Sequence, residues 1–246
     1  MDLGIGLRHW TCYHRCMQVF TLLPWADWVA LVWFFSAWVA YSWLTRFWGT
    51  RRESLIATTN RYRHYWMVQA TARDPRVLDG IITQNLSSTP SFFSSTTIIV
   101  IGGLFALLGS TDKAAELVRD IPFAVRTSVL IFDLKVLLMI GIFVYSFFRF
   151  SWSMRQYTFV ALVIGSMPDP KDFESGKFDR TQFAQRAGRM LGLAAETFND
   201  GLRGYYFAFA VIAWFFSPLA FAAATALVVL ILYSREYRSE VLQVLK

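Results

Sequence analysis

Four long apolar runs constrain this chain more than any other feature. They lie at about residues 25–45, 86–109, 129–150 and 205–233. About 20 apolar residues at 1.5 Å rise cross a hydrocarbon core, and each run reaches that length. A water-soluble domain carries about 25% charged residues. This chain has only 17%, against 55% hydrophobic. The reading is an all-α integral membrane protein, one domain over 1–246, built as a bundle of four transmembrane helices. Ten Trp, five of them in the first run (Trp25, Trp28, Trp33, Trp38, Trp43), fit the aromatic enrichment of membrane interfaces.

Between the runs the sequence turns polar. Residues 46–80 carry Arg46, Arg51, Arg52, Arg61, Arg63, Arg73 and Arg76, with apolar residues at roughly helical spacing. That predicts an amphipathic helix over about 51–73 lying on the membrane surface. A second is predicted over about 178–200 from Phe178, Phe183, Met190, Leu193 and Phe198. The fold class is therefore four spans plus two amphipathic interfacial or cytoplasmic helices. Residues 1–24 show no cleavable leader pattern, so the first span is expected to direct its own insertion.

Charge suggests an orientation. With four spans, the first and third loops share one side and both termini share the other. The first side holds fifteen Lys and Arg and the second eight. The positive-inside rule then places loops 46–80 and 151–204 in the cytoplasm, the termini outside, and the chain in the cell inner (plasma) membrane. The net charge of +7 is what such loops require facing anionic headgroups. No nucleic-acid motif accompanies it, so nucleic acid is not an expected partner. The lipid bilayer is, together with self-association or another membrane protein.

Several residues are candidates for chemistry. Asp133 and Lys135 come first, because ionisable groups inside spans are costly and tend to be functional. They also read as a structural ion pair, or as side chains that snorkel to the nearer interface. The hydroxyl-rich half of the second span comes next. Ser87, Ser91 and Ser95 recur every four residues, with Gln84 and Asn85 at the entrance. That pattern serves close helix packing or a polar lining for a ligand or ion path. Arg61, Arg63, Arg155, Tyr157, Arg203 and Tyr206 lie near span ends, where they anchor to headgroups or bind phosphate. His9, Cys12, His14 and Cys16 are weak metal candidates whose spacing matches no closed zinc pattern, so no metal and no cofactor are expected. Gly188 and Gly192 form a G-x-x-x-G in a polar segment. No P-loop, G-x-S-x-G, H-E-x-x-H or dinucleotide fingerprint occurs, and no catalytic residue is nominated.

With the spans placed, four blocks carry a family resemblance: Asn60-Arg-Tyr-Arg-His-Tyr-Trp66; Ser91-Phe-Phe-Ser-Ser-Thr-Thr-Ile98 with Gly103-Leu-Phe-Ala-Leu-Leu-Gly109; Leu134-Lys135 with Phe150, Ser151, Arg155 and Tyr157; and Arg203-Gly-Tyr-Tyr-Phe207 with Trp214 and Pro218. Through them the chain, from about Phe20 to Tyr237, resembles the membrane-protein family called domain of unknown function 599, found in bacteria and plants. The resemblance implies a polytopic membrane protein and brings no activity, cofactor or partner.

Three functions remain open. One is a homo-oligomeric channel or transporter using the polar half of span two, arranged as a symmetric ring because four short spans seldom enclose a path alone. Another is a non-catalytic accessory or scaffold subunit of a larger complex. The third is a lipid-phosphate-binding enzyme built on Arg155, Arg203 and Tyr206.

Overall fold

The computed structural model describes residues 23–48, 54–110 and 129–245. Its elements are helical: α1 Trp25–Trp48, α2 Leu55–Ala70, α3 Val77–Gly109, α4 Val129–Gly165, α5 Pro170–Glu174, α6 Arg180–Trp214, α7 Pro218–Tyr237 and α8 Glu240–Val244. Four stretches are long and apolar enough to cross a membrane: Trp25–Thr45, Val77–Gly109, Val129–Gly165 and Pro218–Val244. The chain is thus an all-α, multi-pass membrane protein.

Several boundaries differ from the sequence expectation: α4, expected over 129–150, runs on to Gly165. The helix expected over 86–109 starts at Val77, and within it hydroxyls bond back to carbonyls one turn earlier, as Ser87 does to that of Gln84 at 2.8 Å. The helix expected over 178–200 does not stop there. It runs unbroken to Trp214 through Asp200, Gly201 and Gly204. The run expected over 205–233 is instead cut at 215–217. Ser217 caps a new helix by accepting from the Ala220 amide at 3.0 Å, and Pro218 takes its first position.

This cut changes the topology. Asp27 meets Trp214, Phe34 meets Phe207, and Tyr41 lies against Arg203, so α1 and α6 are antiparallel. Phe132 meets Phe215 and Phe150 meets Phe198, so α4 is also antiparallel to α6. Phe93 meets Phe150 while Leu104 and Leu107 pack beside Phe132, which reverses α3 relative to α4. Trp33 donates to the Ala222 carbonyl at 3.2 Å and Phe34 packs on Phe221, so α7 leaves the Trp25 end alongside α1. The last third of α6 therefore lies among the four apolar stretches, and the described chain runs along the bundle five times.

The described chain therefore begins and ends at opposite ends of the bundle. The Ile56 amide donates to Glu236 at 3.1 Å and the Tyr62 hydroxyl to the Leu245 carbonyl at 3.2 Å. The sequence reading expected both termini on one side; among the described residues, α7 returns the chain to the end that carries α2, opposite Trp25.

Two cores result. One, around Phe34, Phe207, Trp214 and Phe221, binds α1, α4, α6 and α7 within the apolar layer. The other lies at the α2 end and joins Met67, Tyr157, Ile164, Phe173, Ala187 and Leu191. Here α2 does not lie free on a surface: it crosses α6 at Gly188 and Gly192, where an added Cβ would stand 3.1 Å from the His64 Cα and 3.0 Å from the Asn60 Oδ1. The α2–α3 corner is pinned by Arg76, whose guanidinium donates to the Met167 and Pro168 carbonyls at 3.0 and 2.5 Å. Asp79, wholly buried, accepts from Trp66 and Arg73 at 2.7 Å each.

The tightest contact is between α4 and α6. A Cβ on Gly201 would fall 2.5 Å from the ring of Phe150, which is itself fully buried, and one on Gly204 would fall 2.2 Å from the Ser146 Oγ.

Two outcomes follow. Gly201→Ala should lower stability by roughly 1–3 kcal/mol through overpacking, read as a lower Tm in detergent. Gly141→Ala, with open space around its Cβ, should not. In a background with Cys12 and Cys16 replaced by Ser, Tyr65→Cys and Val244→Cys should react with an impermeant thiol reagent from the same side of sealed vesicles, and Trp25→Cys from the other. Labelling of Val244→Cys together with Trp25→Cys would refute the five-pass arrangement.

Candidate functional site

Lys135 is buried, with 3% of its surface exposed. Its ammonium donates to the Trp214 carbonyl at 2.8 Å and lies 5.3 Å from the Trp214 ring and 5.6 Å from the Phe215 ring. The carbonyl belongs to the last residue of α6, where unpaired acceptors and the negative end of the helix dipole favour a cation. The Trp214 indole in turn donates to Asp27 at 2.5 Å, and Asp27 is itself buried. Asp27, Trp214 and Lys135 thus tie α1, α6 and α4 together at the Trp25 end. Asp133 is half-buried, and its two-residue offset turns it away from Lys135. The residue missing from the sequence reading was Asp27. A carboxylate in the first turn of a span was its signal.

The polar half of α3 is placed elsewhere. Gln84, Asn85, Ser91 and Ser95 are exposed and Ser87 is half-buried, while Thr83, Ser94 and Thr97 turn inward. Ser94 lies 3.2 Å from Ser151 and Thr97 2.7 Å from the Tyr205 hydroxyl. Ser151 is just past Arg149, so Gln84 to Ser91 extend beyond the level of Arg149, towards the Gly165 end of α4. Lys135 is fourteen residues to the other side of Arg149, roughly 21 Å along α4. The structure does not bring these pathway candidates together.

A third group does converge, at the α2 end. Arg149 of α4 and Arg203 of α6 both pair with Asp200, Arg203 at 2.9 Å. Arg203 is 7% exposed and lies 5.4 Å from the Tyr41 ring of α1. The Arg149 Nε is buried with no hydrogen-bond partner. Beside this pair Glu196 accepts from Asn60 at 3.0 Å and from Arg189 at 3.5 Å, and the Asn60 carbonyl oxygen accepts from Arg63 at 2.7 Å. Burial lowers the Arg63 pKa from its usual value, opposed by Tyr157 and Glu196. Arginine nonetheless stays charged in proteins.

These groups border two cavities. One, of about 460 Å³, has Arg149, Arg189 and Arg203 facing Glu196 and Asp200, with Thr45, Ile56 and Asn60 among its walls. The other, of about 270 Å³, has Arg63, Arg203 and Arg235 facing Glu236, with Tyr41 and Tyr206. Each has more guanidinium than carboxylate. Their threonines turn inward on their own helices, Thr45 to the Ser42 carbonyl and Thr197 to that of Leu193. What remains is a set of oriented donors suited to an anion.

Of the six headgroup or phosphate candidates, Arg63, Arg203 and Tyr206 meet here. Arg61 and Arg155 point outward, and Tyr157 is buried in the α2-end core. Sequence reasoning missed Arg149, Asp200, Glu196, Arg235 and Glu236 as partners. His9, Cys12, His14 and Cys16 lie outside the described residues. Among the described residues no group of three His, Cys, Asp or Glu could hold a metal ion.

The family described as a protein of unknown function, DUF599, matches residues 29–241. No curated protein and no solved structure matches the chain.

The Trp214 clasp is open to test. Asp27→Ala leaves a buried cation network without its carboxylate and should cost about 3–5 kcal/mol. Pairing it with Lys135→Met should recover part of that loss. Additive losses in the double-mutant cycle would show that the two residues act independently.

Proposed function

We propose, for a chain that belongs to the DUF599 family of proteins of unknown function, that its role in the membrane is to bind a phosphate-class anion at the α2 end of the bundle. The observation that carries this reading is Asp200 held between the guanidiniums of Arg149 and Arg203, with the Arg149 Nε buried and unpartnered, at the wall of a 460 Å³ cavity. Cavities of about 300–1,000 Å³ are typical for small-molecule ligands. Planar guanidiniums match phosphate oxygens bidentately, and a half-desolvated site strengthens each charge-assisted bond. The lining favours binding over bond-breaking, because its donors are cationic and its threonines are engaged by their own helices.

The level of the site supports an interfacial ligand. Arg149 lies twenty residues from the start of α4, roughly 30 Å along the helix, which is the thickness of the hydrocarbon core. That distance supports cavities that open at headgroup level. The spread of the pathway candidates weighs against the homo-oligomeric channel, since Lys135 stands roughly 21 Å along α4 from Arg149, on the side opposite Gln84 to Ser91. For orientation, moving the three Lys and Arg of the C-terminal tail to the α2 end turns fifteen against eight into eighteen against five. That asymmetry supports a cytoplasmic α2 end in the inner membrane.

Purified protein in nanodiscs should bind inorganic phosphate measurably by calorimetry, and its Tm should rise with phosphate but not with an equal concentration of chloride. Arg203→Gln should weaken phosphate binding about tenfold or more. Equal affinity for phosphate in Arg203→Gln and the parent protein would remove the reading.

A further inference from the structure

We infer that the two cavities are two halves of one site, and that the ligand carries two linked phosphates, a diphosphate, astride Arg203. This rests on the phosphate reading above. Arg203 and Ile56 line both cavities, so they adjoin at one guanidinium rather than lying apart. On one side Arg149 and Arg189 supply further charge, on the other Arg63 and Arg235. Across the whole, five guanidiniums face three carboxylates, Glu196, Asp200 and Glu236. The surplus suits an anion of more than one charge.

The second half already holds a stand-in anion. Ser54 caps α2, and the Ile56 amide in the first turn donates to the Glu236 carboxylate at 3.1 Å. The N-terminus of a 16-residue helix is a place where anions are stabilised. Here a side chain of α7 occupies it. Arg235, adjacent in sequence, stacks 5.4 Å over the Tyr206 ring and donates to its hydroxyl. Asp200 plays the same part in the first half, between Arg149 and Arg203. Each half thus holds a carboxylate where an anion would bind, Asp200 between two guanidiniums and Glu236 on the Ile56 amide, and a diphosphate presents two anionic groups at short, fixed separation. The walls also include Leu55, Leu193, Leu202 and Leu232, so a diphosphate carried on an apolar tail fits the same surface as a free one.

Equilibrium binding to the full chain in nanodiscs tests this with four probes: inorganic phosphate, inorganic pyrophosphate, farnesyl phosphate and farnesyl diphosphate. Pyrophosphate should bind roughly a hundredfold more tightly than phosphate, as expected when a second contact becomes intramolecular. Arg235→Gln, which removes a charge from the second half alone, should cut pyrophosphate affinity about tenfold while changing phosphate affinity no more than about twofold, whereas Arg149→Gln, in the half that carries the phosphate reading, should weaken both. Glu236→Gln, which removes a competing carboxylate, should tighten pyrophosphate binding more than phosphate binding. If farnesyl diphosphate binds far more tightly than pyrophosphate, the diphosphate is a lipid's; if equally, it is a free one. Phosphate and pyrophosphate binding with equal affinity would overturn the two-half site and leave the single-phosphate reading standing. Absence of binding by all four probes would overturn both.

Discussion

The α4–α6 contact is the constraint from which the rest of this molecule is built. In lipid, apolar surfaces gain little from meeting each other, so helices associate through close packing and polar bonds. Gly201 and Gly204 remove the atoms that would hold α6 away from Phe150 and Ser146. That closeness brings Arg149 to Asp200, and Asp200 to Arg203 one turn further on. The Ser153 hydroxyl then bonds the Ala194 carbonyl at 2.7 Å, continuing the contact beyond the apolar layer. Without the glycines the arginines would stand on separated helices, and each would be a lone charge at an interface rather than part of a site.

At the opposite end the clasp of Asp27, Trp214 and Lys135 solves a different problem. A helix that ends inside or near hydrocarbon leaves its last carbonyls without partners. Here α6 ends at Trp214, and Lys135 donates to the Trp214 carbonyl. Asp27 brings the counter-charge and holds the indole. The break makes room for Ser217 and Pro218 to start α7, and α7 carries Arg235 and Glu236 back to the α2 end. The clasp is structural, yet the composition of the second cavity depends on it.

The apolar runs made the membrane class and the helical spans legible, because hydropathy reads length and burial in lipid directly. The error at the last span arose because Tyr205 to Tyr233 is continuously apolar, while a cap and a proline decide where the helix stops. Ser217-Pro218 was the available signal. The segment Asn199-Asp-Gly-Leu-Arg-Gly204 resembles a loop in sequence, and only its fit against α4 explains why it is helix. In the site, Arg63, Arg203 and Tyr206 were legible as Arg and Tyr near span ends. The pairing of Arg149 with Asp200 was not, because it depends on the register between two helices far apart in sequence. Lys135 was legible as an ionisable group inside a span, and its link to Asp27 through Trp214 required knowing that α1 and α6 run antiparallel.

The unbroken course of α6 also sets how the sequence can change over time. Gly188 and Gly192 seat α2, Gly201 and Gly204 seat α4, and Trp214 engages the clasp, all on one rod without a joint. Each residue on an α-helix advances about 100° and 1.5 Å. A single insertion or deletion between Gly192 and Trp214 would leave one set of contacts in phase and turn the other by more than a quarter of a revolution. Substitutions can accumulate along this helix one at a time, but its length is locked.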